Sequence, residues 1–238
     1  MCGRYAASAS QELLVETFEV DEVAGPLPAP SYNVAPTDPV PAIVERAHDS
    51  VVVRKLVPLR WGLVPSWAKD AAGAARMINA RVETVADKPA FRKAFAQRRC
   101  LLPADGFYEW YASARSDARG RPLKQPFFIH PADAGLLVMA GIYEFWRAPD
   151  GTWLTTAAII TTTATDEVGR IHDRMPMVVP PGSWDAWLDP RSTSDARALL
   201  AVPAPHLTAY PVSTRVNRVA NNGPDLVSPL PEAGLVGE

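Results

Sequence analysis

Apolar residues are arranged in two ways along the chain, at helical spacing in a few short segments and in β-branched or aromatic runs elsewhere. In residues 10–20 (SQELLVETFEV) they fall at Leu13, Leu14 and Phe18, the spacing of one helix face, with Ser8 or Ser10 ahead of them as a capping side chain. A short amphipathic helix is predicted. GPLPAPSYNVAPTDPVP follows, too rich in proline for a helix, and predicts an extended loop on the surface or over a cleft. AIVER and VVVRKLVPL then read as a strand pair joined at His48-Asp49-Ser50. RWGLVPSW is a loop broken by Gly and Pro, and MINARVET reads as irregular. Asp87 is placed to cap a helix through KPAFRKAFAQ, whose Phe91 and Phe95 lie four residues apart.

Beyond residue 98 the pattern becomes strand-rich. RCLLPA, GFYEWY, QPFFIH, LLVMAGIYEFW and TWLTTAAIITTT are β-branched or aromatic runs separated by turn residues, and each predicts a strand. ARSDARGRPLK (114–124) is expected to be a polar, disordered hairpin tip. SWDAWLD and SDARALLAV predict short helices, and HLTAYPVS a last strand. No repeat or compositional break divides the chain, so the expectation is one mixed α+β domain over 1–228 with a tail at 229–238.

Composition sharpens this picture in two places. Proline, 24 of 238 residues, is roughly twice its usual share and favours short strands and rigid turns. Net charge is −2, yet residues 54–99 hold eleven Lys and Arg against Asp70, Glu83 and Asp87, which implies one basic surface on an otherwise acidic protein. A solvated charged helix accounts for Arg92, Lys93, Arg98 and Arg99. No run approaches the 18 apolar residues of a membrane span, and no signal-peptide pattern opens the chain. Two cysteines make no disulfide framework, so a cytoplasmic protein with no membrane partner is expected, nucleoid-associated if bacterial.

Candidate chemistry begins at Met1-Cys2-Gly3-Arg4-Tyr5. An initiator Met is removed when the next side chain is small, as Cys is. That would leave Cys2 with a free α-amine two carbons from its thiol, groups that titrate at about 7.7 and about 8.5. Such a 1,2-aminothiol condenses with an aldehyde to a thiazolidine, or serves as an N-terminal nucleophile that cleaves an amide. Chance placement of a cysteine is the third reading. Glu109, in PADGFYEWY, belongs to a predicted buried strand, where burial would raise its pKa toward a general-acid range; an edge strand facing solvent is the alternative. His172 sits in a turn beside Asp173, and Asn79 offers an amide that could orient an amine or an oxyanion, although either residue type is more often structural. A phosphate loop, CxxC, HExxH, GxSxG and metal-spaced carboxylates are all absent from the sequence, so no metal or nucleotide cofactor is expected.

Seven motifs, MCGRY, YNVAPT, RWGLVPSW, NARVET, RRCLLPADGFYEW, AGIYEFW and IHDRMP, stand in the order found in the SOS-response-associated peptidase (SRAP) family, which the chain resembles over nearly its whole length. The resemblance implies a β-rich α+β fold with a central antiparallel, partly barrel-like sheet and short flanking helices. It also implies a monomer that crosslinks covalently, through Cys2, to abasic sites in single-stranded DNA, with lyase-type and cysteine-type autopeptidase activity attached. By motif, Cys2 is the nucleophile, Asn79 positions the N-terminal amine, Glu109 is the acid/base that promotes sugar ring opening, and His172 assists Schiff-base chemistry and reversal. Arg81 and Arg174, and more weakly Arg4, match phosphate contacts; Trp67 resembles an apolar wedge, and Pro39 lies in a loop that would frame the cleft. The remaining tryptophans, Trp61, Trp110, Trp146, Trp153, Trp184 and Trp187, are assigned to packing. A cysteine peptidase and a non-covalent reader of modified duplex DNA are the rival functions.

Overall fold

The computed structural model describes residues 2–49, 51–116, 119–120, 122–192 and 196–231. In chain order the regular elements are β1 (Tyr5–Ala7), α1 (Gln11–Thr17), β2 (Glu22–Val23), β3 (Ser31–Val34), β4 (Pro39–His48), β5 (Val51–Trp61), β6 (Asn79–Arg81), α2 (Arg92–Gln97), β7 (Arg99–Ala104) and β8 (Gly106–Ser116). They continue with β9 (Pro122–Pro131), β10 (Leu137–Arg147), β11 (Trp153–Thr163), α3 (Asp166–Ile171), β12 (Arg174–Pro176), α4 (Trp184–Leu188) and β13 (Leu207–Pro211). The fold is strand-rich α+β with short helices.

Five strands close on themselves. The order β11-β10-β7-β4-β5 is antiparallel throughout, and a parallel pairing of β5 with β11 (Arg60↔Thr156, Trp61↔Ala157) joins the ends into a barrel. Alternation along each strand then sorts side chains into two cores. Val40, Val44, Leu59, Trp61, Cys100, Leu102, Met139 and Ile159 fill one cluster. Their neighbours Ile43, Leu56, Leu101, Ile142 and Ile160 turn outward, where Leu14 and Phe18 of the α1 segment, Phe95 of α2 and Trp187 of α4 cover them. A second sheet, β13-β9-β8-β1-β3, adds Tyr5, Phe107 and Ile129 to the first cluster. Gly62 lets the chain turn out of the barrel: its φ is +127°, and a Cβ there would stand 2.7 Å from the Ala74 carbonyl oxygen.

The predicted strands of the second half are all present, as are the β4–β5 hairpin and the α1 helix, whose N-cap Ser10 accepts from Leu13 N–H. Several expectations are corrected. Leu13 points to solvent at 46% exposure, because α1 rolls Leu14 and Phe18 onto the barrel. Asp87 caps nothing; α2 starts at Arg92 without a side-chain cap, and Asp87 pairs with Arg197. SYNV, read as loop, is the edge strand β3 on β1. Arg99 is not solvated: it is 2% exposed and donates to the carbonyls of Phe95, Ala96, Trp187, Asp189 and Ser192, closing the C-terminal ends of α2 and α4. Trp153 is 65% exposed rather than packed. Of SDARALLAV, the described residues 196–202 form a 3₁₀ turn at Ala198–Leu200. The hairpin of β8 and β9 is as expected; of the segment 114–124, expected to be disordered, β8 runs to Ser116 and β9 begins at Pro122, while 117, 118 and 121 lie outside the described residues, as do Met1 and most of the expected tail, 232–238.

Candidate active site

Cys2 enters the molecule one step ahead of β1. The β1–β8 register (Tyr5↔Phe107, Ala6↔Gly106) continues outward, with Tyr108 N–H donating to the Arg4 carbonyl at 2.9 Å, and so sets Glu109 across from Gly3, beside Cys2. Tyr5 packs edge-on against Trp61 at 5.0 Å between centroids. Trp61 Nε1–H in turn donates to the Ile78 carbonyl at 3.0 Å, fixing the residue before Asn79. Asn79 Nδ2–H then donates to the Cys2 carbonyl at 2.8 Å. Its Oδ1 is buried with no hydrogen-bond partner among the described residues. A buried acceptor of this kind is costly unless a donor arrives, so Asn79 is poised for an N–H.

The end of β11 carries the rest. Past its contact with β5, Ile159–Thr161 pair in parallel with Asn79–Arg81 of β6, and Thr161–Thr163 pair with β12. Thr161 pairs with both, so β6 and β12 flank β11 on opposite sides, and Asn79 and Arg174 stand on either side of that strand. His172 lies between α3 and β12, its N–H bonded to the Val168 carbonyl at 2.9 Å. Its Nδ1 accepts from Arg174 N–H at 3.0 Å and stands 2.9 Å from Asp173 Oδ1.

Burial sets the charge states. Cys2 is fully buried, and desolvation, helped by the negative charge of Glu109, pushes its thiol well above the ordinary cysteine range. The thiol is thus protonated at neutral pH and needs a base in order to attack. Glu109, 4% exposed, is pushed up by burial, an effect that nearby His172 partly offsets. Cys2, Asn79, Glu109 and His172 therefore form one constellation of an amide, a thiol and two proton carriers. Among the described residues no three metal-capable side chains converge.

The residues expected at the rim divide. Arg81 is exposed, and so is Pro39 at the start of β4. Trp67, 69% exposed, lines a groove of about 490 Å³ with Pro65, Pro89, Arg92 and Lys93. Arg4 serves a structural purpose: its Nη1 donates to Asn33 Oδ1 at 2.8 Å and to the Val216 carbonyl at 2.9 Å. Arg174 is 8% exposed and forms a fork with Glu83 (2.6 and 3.0 Å); its Nε is buried with no partner among the described residues. Part of the basic 54–99 surplus is neutralised, Arg54 by Glu45 and Asp185, Lys55 by Glu22, and Arg98 by Glu144. Sequence reasoning overlooked Glu83, while Trp61, assigned to packing, is fully buried as expected and also fixes the Ile78 carbonyl. Glu83 had one available signal, its place in the same NARVET motif as Asn79 and Arg81.

Comparison with known proteins identifies the chain's relatives. The chain is 39% identical over 234 residues to the abasic site processing protein YoqW of Bacillus subtilis, covering 95% of this chain and 99% of that one. It is 31% identical over 274 residues to the abasic site processing protein HMCES of Mus musculus, covering 96% and 76%. A crystal structure of a Bacteroides thetaiotaomicron protein superposes with a TM-score of 0.81 at 24% identity, covering 96% of this chain and all of that one, and so shares the fold. The model of the SOS response associated peptidase (SRAP) family matches residues 1–219, and the chain belongs to that family.

Proposed function

We propose that the protein processes abasic sites in single-stranded DNA by linking Cys2 to the lesion as a thiazolidine. The observation that carries this reading is the Asn79 amide: Nδ2 holds the Cys2 carbonyl while Oδ1, buried and unclaimed, can accept from the α-amine once Met1 is removed. The relatives named abasic site processing proteins support the substrate class.

Glu109, held toward its protonated form by burial, gives a proton to the ring oxygen while the C1′ hydroxyl loses its own to water, and the abasic sugar opens to its aldehyde. The α-amine, oriented by Asn79, adds to that carbonyl, and loss of one water leaves a Schiff base. The Cys2 thiol then adds to the same carbon; its proton leaves through Glu109 or His172 and ends on the former imine nitrogen. The balance is aldehyde plus aminothiol giving thiazolidine plus water, with no redox step. Neither a free aldehyde nor a free thiol remains, so the strand is shielded from β-elimination. All four groups come from one chain, so a monomer suffices. Arg81 and the uncommitted Nε–H of Arg174 would meet phosphates, Arg4 being held more tightly by Asn33, while Trp67 supplies a stacking face framed by Pro39. Removal of Met1 by hydrolysis is the step that frees the amine, and the same Cys2 and Glu109 could carry it out, which would account for the peptidase in the family's name.

A single-stranded oligonucleotide bearing a uracil-derived abasic site tests the reading. Wild-type protein is expected to give an SDS-resistant adduct and Cys2→Ala none. An adduct of normal yield from Cys2→Ala contradicts the proposal.

A further inference from the structure

The fork between Glu83 and Arg174 joins pieces of the site that lie 91 residues apart in sequence. Glu83 Oε1 and Oε2 accept from Arg174 Nη1 and Nη2 at 2.6 and 3.0 Å. Nη2 also donates at 2.6 Å to the Thr161 carbonyl, the same oxygen that accepts Val82 N–H at 2.9 Å. The fork therefore ties the end of β6 to the start of β12 across β11, which runs between them. Its two sides differ in exposure: the Arg174 side chain is 10% exposed and the Glu83 side chain 49%. A guanidinium this buried is costly without its carboxylate, so Glu83 is what holds Arg174 in place.

Arg174 passes that constraint to His172. Its backbone N–H donates to His172 Nδ1, and a nitrogen that accepts carries no proton, so the neutral imidazole keeps its proton on Nε2. Asp173 Oδ1 competes for the same nitrogen, since it would draw the proton to Nδ1. That carboxylate is 84% exposed and screened by water, so the anchored N–H prevails. We propose that Glu83 is a positioning residue: through the Arg174 fork it fixes Asn79 relative to His172 and holds the His172 imidazole as its Nε2–H tautomer. The consequence for rate rests on the reading of His172 as a proton carrier in abasic-site chemistry.

Long-range ¹H–¹⁵N correlation of the histidine rings, assigned with His172→Gln, reads the tautomer with or without DNA. Adduct formation at saturating abasic oligonucleotide reads the rate. Wild type is expected to show the Nε2–H form. Glu83→Gln is expected to mix the tautomers and slow adduct formation about tenfold, the scale on which supporting partners act at other sites, with little change in the half-saturating DNA concentration. Glu83→Asp should restore both readouts. Arg174→Lys, which keeps the backbone N–H and the charge but cannot bridge two carboxylate oxygens, should mix the tautomers as Glu83→Gln does; it also removes an Nε–H placed toward phosphate, so only its tautomer is compared. Retention of the Nε2–H form and full rate in Glu83→Gln overturns the proposal, as does a loss confined to DNA affinity. A faster Glu83→Gln overturns it as well, since Glu83 would then merely compete with phosphate for Arg174. If wild type forms no adduct, the abasic-site reading fails while the tautomer measurement still decides the fork.

Discussion

Glu109 gives up water to sit beside Cys2, and the cost has a pH signature. Burial raises its folded-state pKa, so the folded protein is unpenalised below the ordinary glutamate value of about 4.3 and loses stability as pH rises from there through the raised value. Glu109→Gln removes that penalty. Thermal melts are expected to show the variant above wild type at pH 8 and level with it near pH 4; no advantage at pH 8 contradicts the assignment. Sequence made Cys2, Asn79, Glu109 and His172 visible through short motifs, and the carboxylate's burial could be read from the aromatic residues around it. It did not show that Arg174 is matched by Glu83 or Arg4 by Asn33, because pairings between distant segments leave no trace in either segment alone.

At the scale of elements, Arg99 replaces the caps that α2 and α4 lack. Five carbonyls converge on its guanidinium, and both helices are too short to persist without tertiary support. Arg99→Met leaves those oxygens short of donors, and a loss of about 3 kcal/mol or more is expected from urea denaturation; a loss below about 1 kcal/mol would mean that water replaces the guanidinium. The long strands were legible because β-branched and aromatic runs bounded by turn residues suit a wall that is buried on both faces. α3 and β6 were not, since six and three residues carry no period; β6 is held by its pairing with β11, and α3 lies against β13 and β8. Trp153 was assigned to packing from its residue type, but it opens β11 at the barrel's end, where no element covers it.

Over the whole molecule, closure of the barrel sets the site. The β5–β11 pairing brings Trp61 to Ala157, and from there β11, flanked by β6 and β12, presents Asn79 and His172 to the end of β1. That parallel contact joins residues far apart in the chain and is invisible to local pattern, whereas the family motifs carried the barrel expectation. Charge acts on the same scale. Arg81 is exposed beside the site, so Arg81→Ala is expected to weaken binding to single-stranded DNA uniformly across sequences and to reduce the slope of log affinity against log salt by about 0.7. An unchanged slope would remove Arg81 from the phosphate path.

The central claim is covalent chemistry at a freed Cys2 amine, and intact-mass spectrometry tests it most directly. After incubation with an abasic single-stranded oligonucleotide, the account predicts a protein lacking Met1 whose mass has grown by that of the oligonucleotide less one water. The same experiment with Cys2→Ala should give no such species. An unmodified wild-type protein that lacks Met1, or an equal adduct on Cys2→Ala, would contradict it.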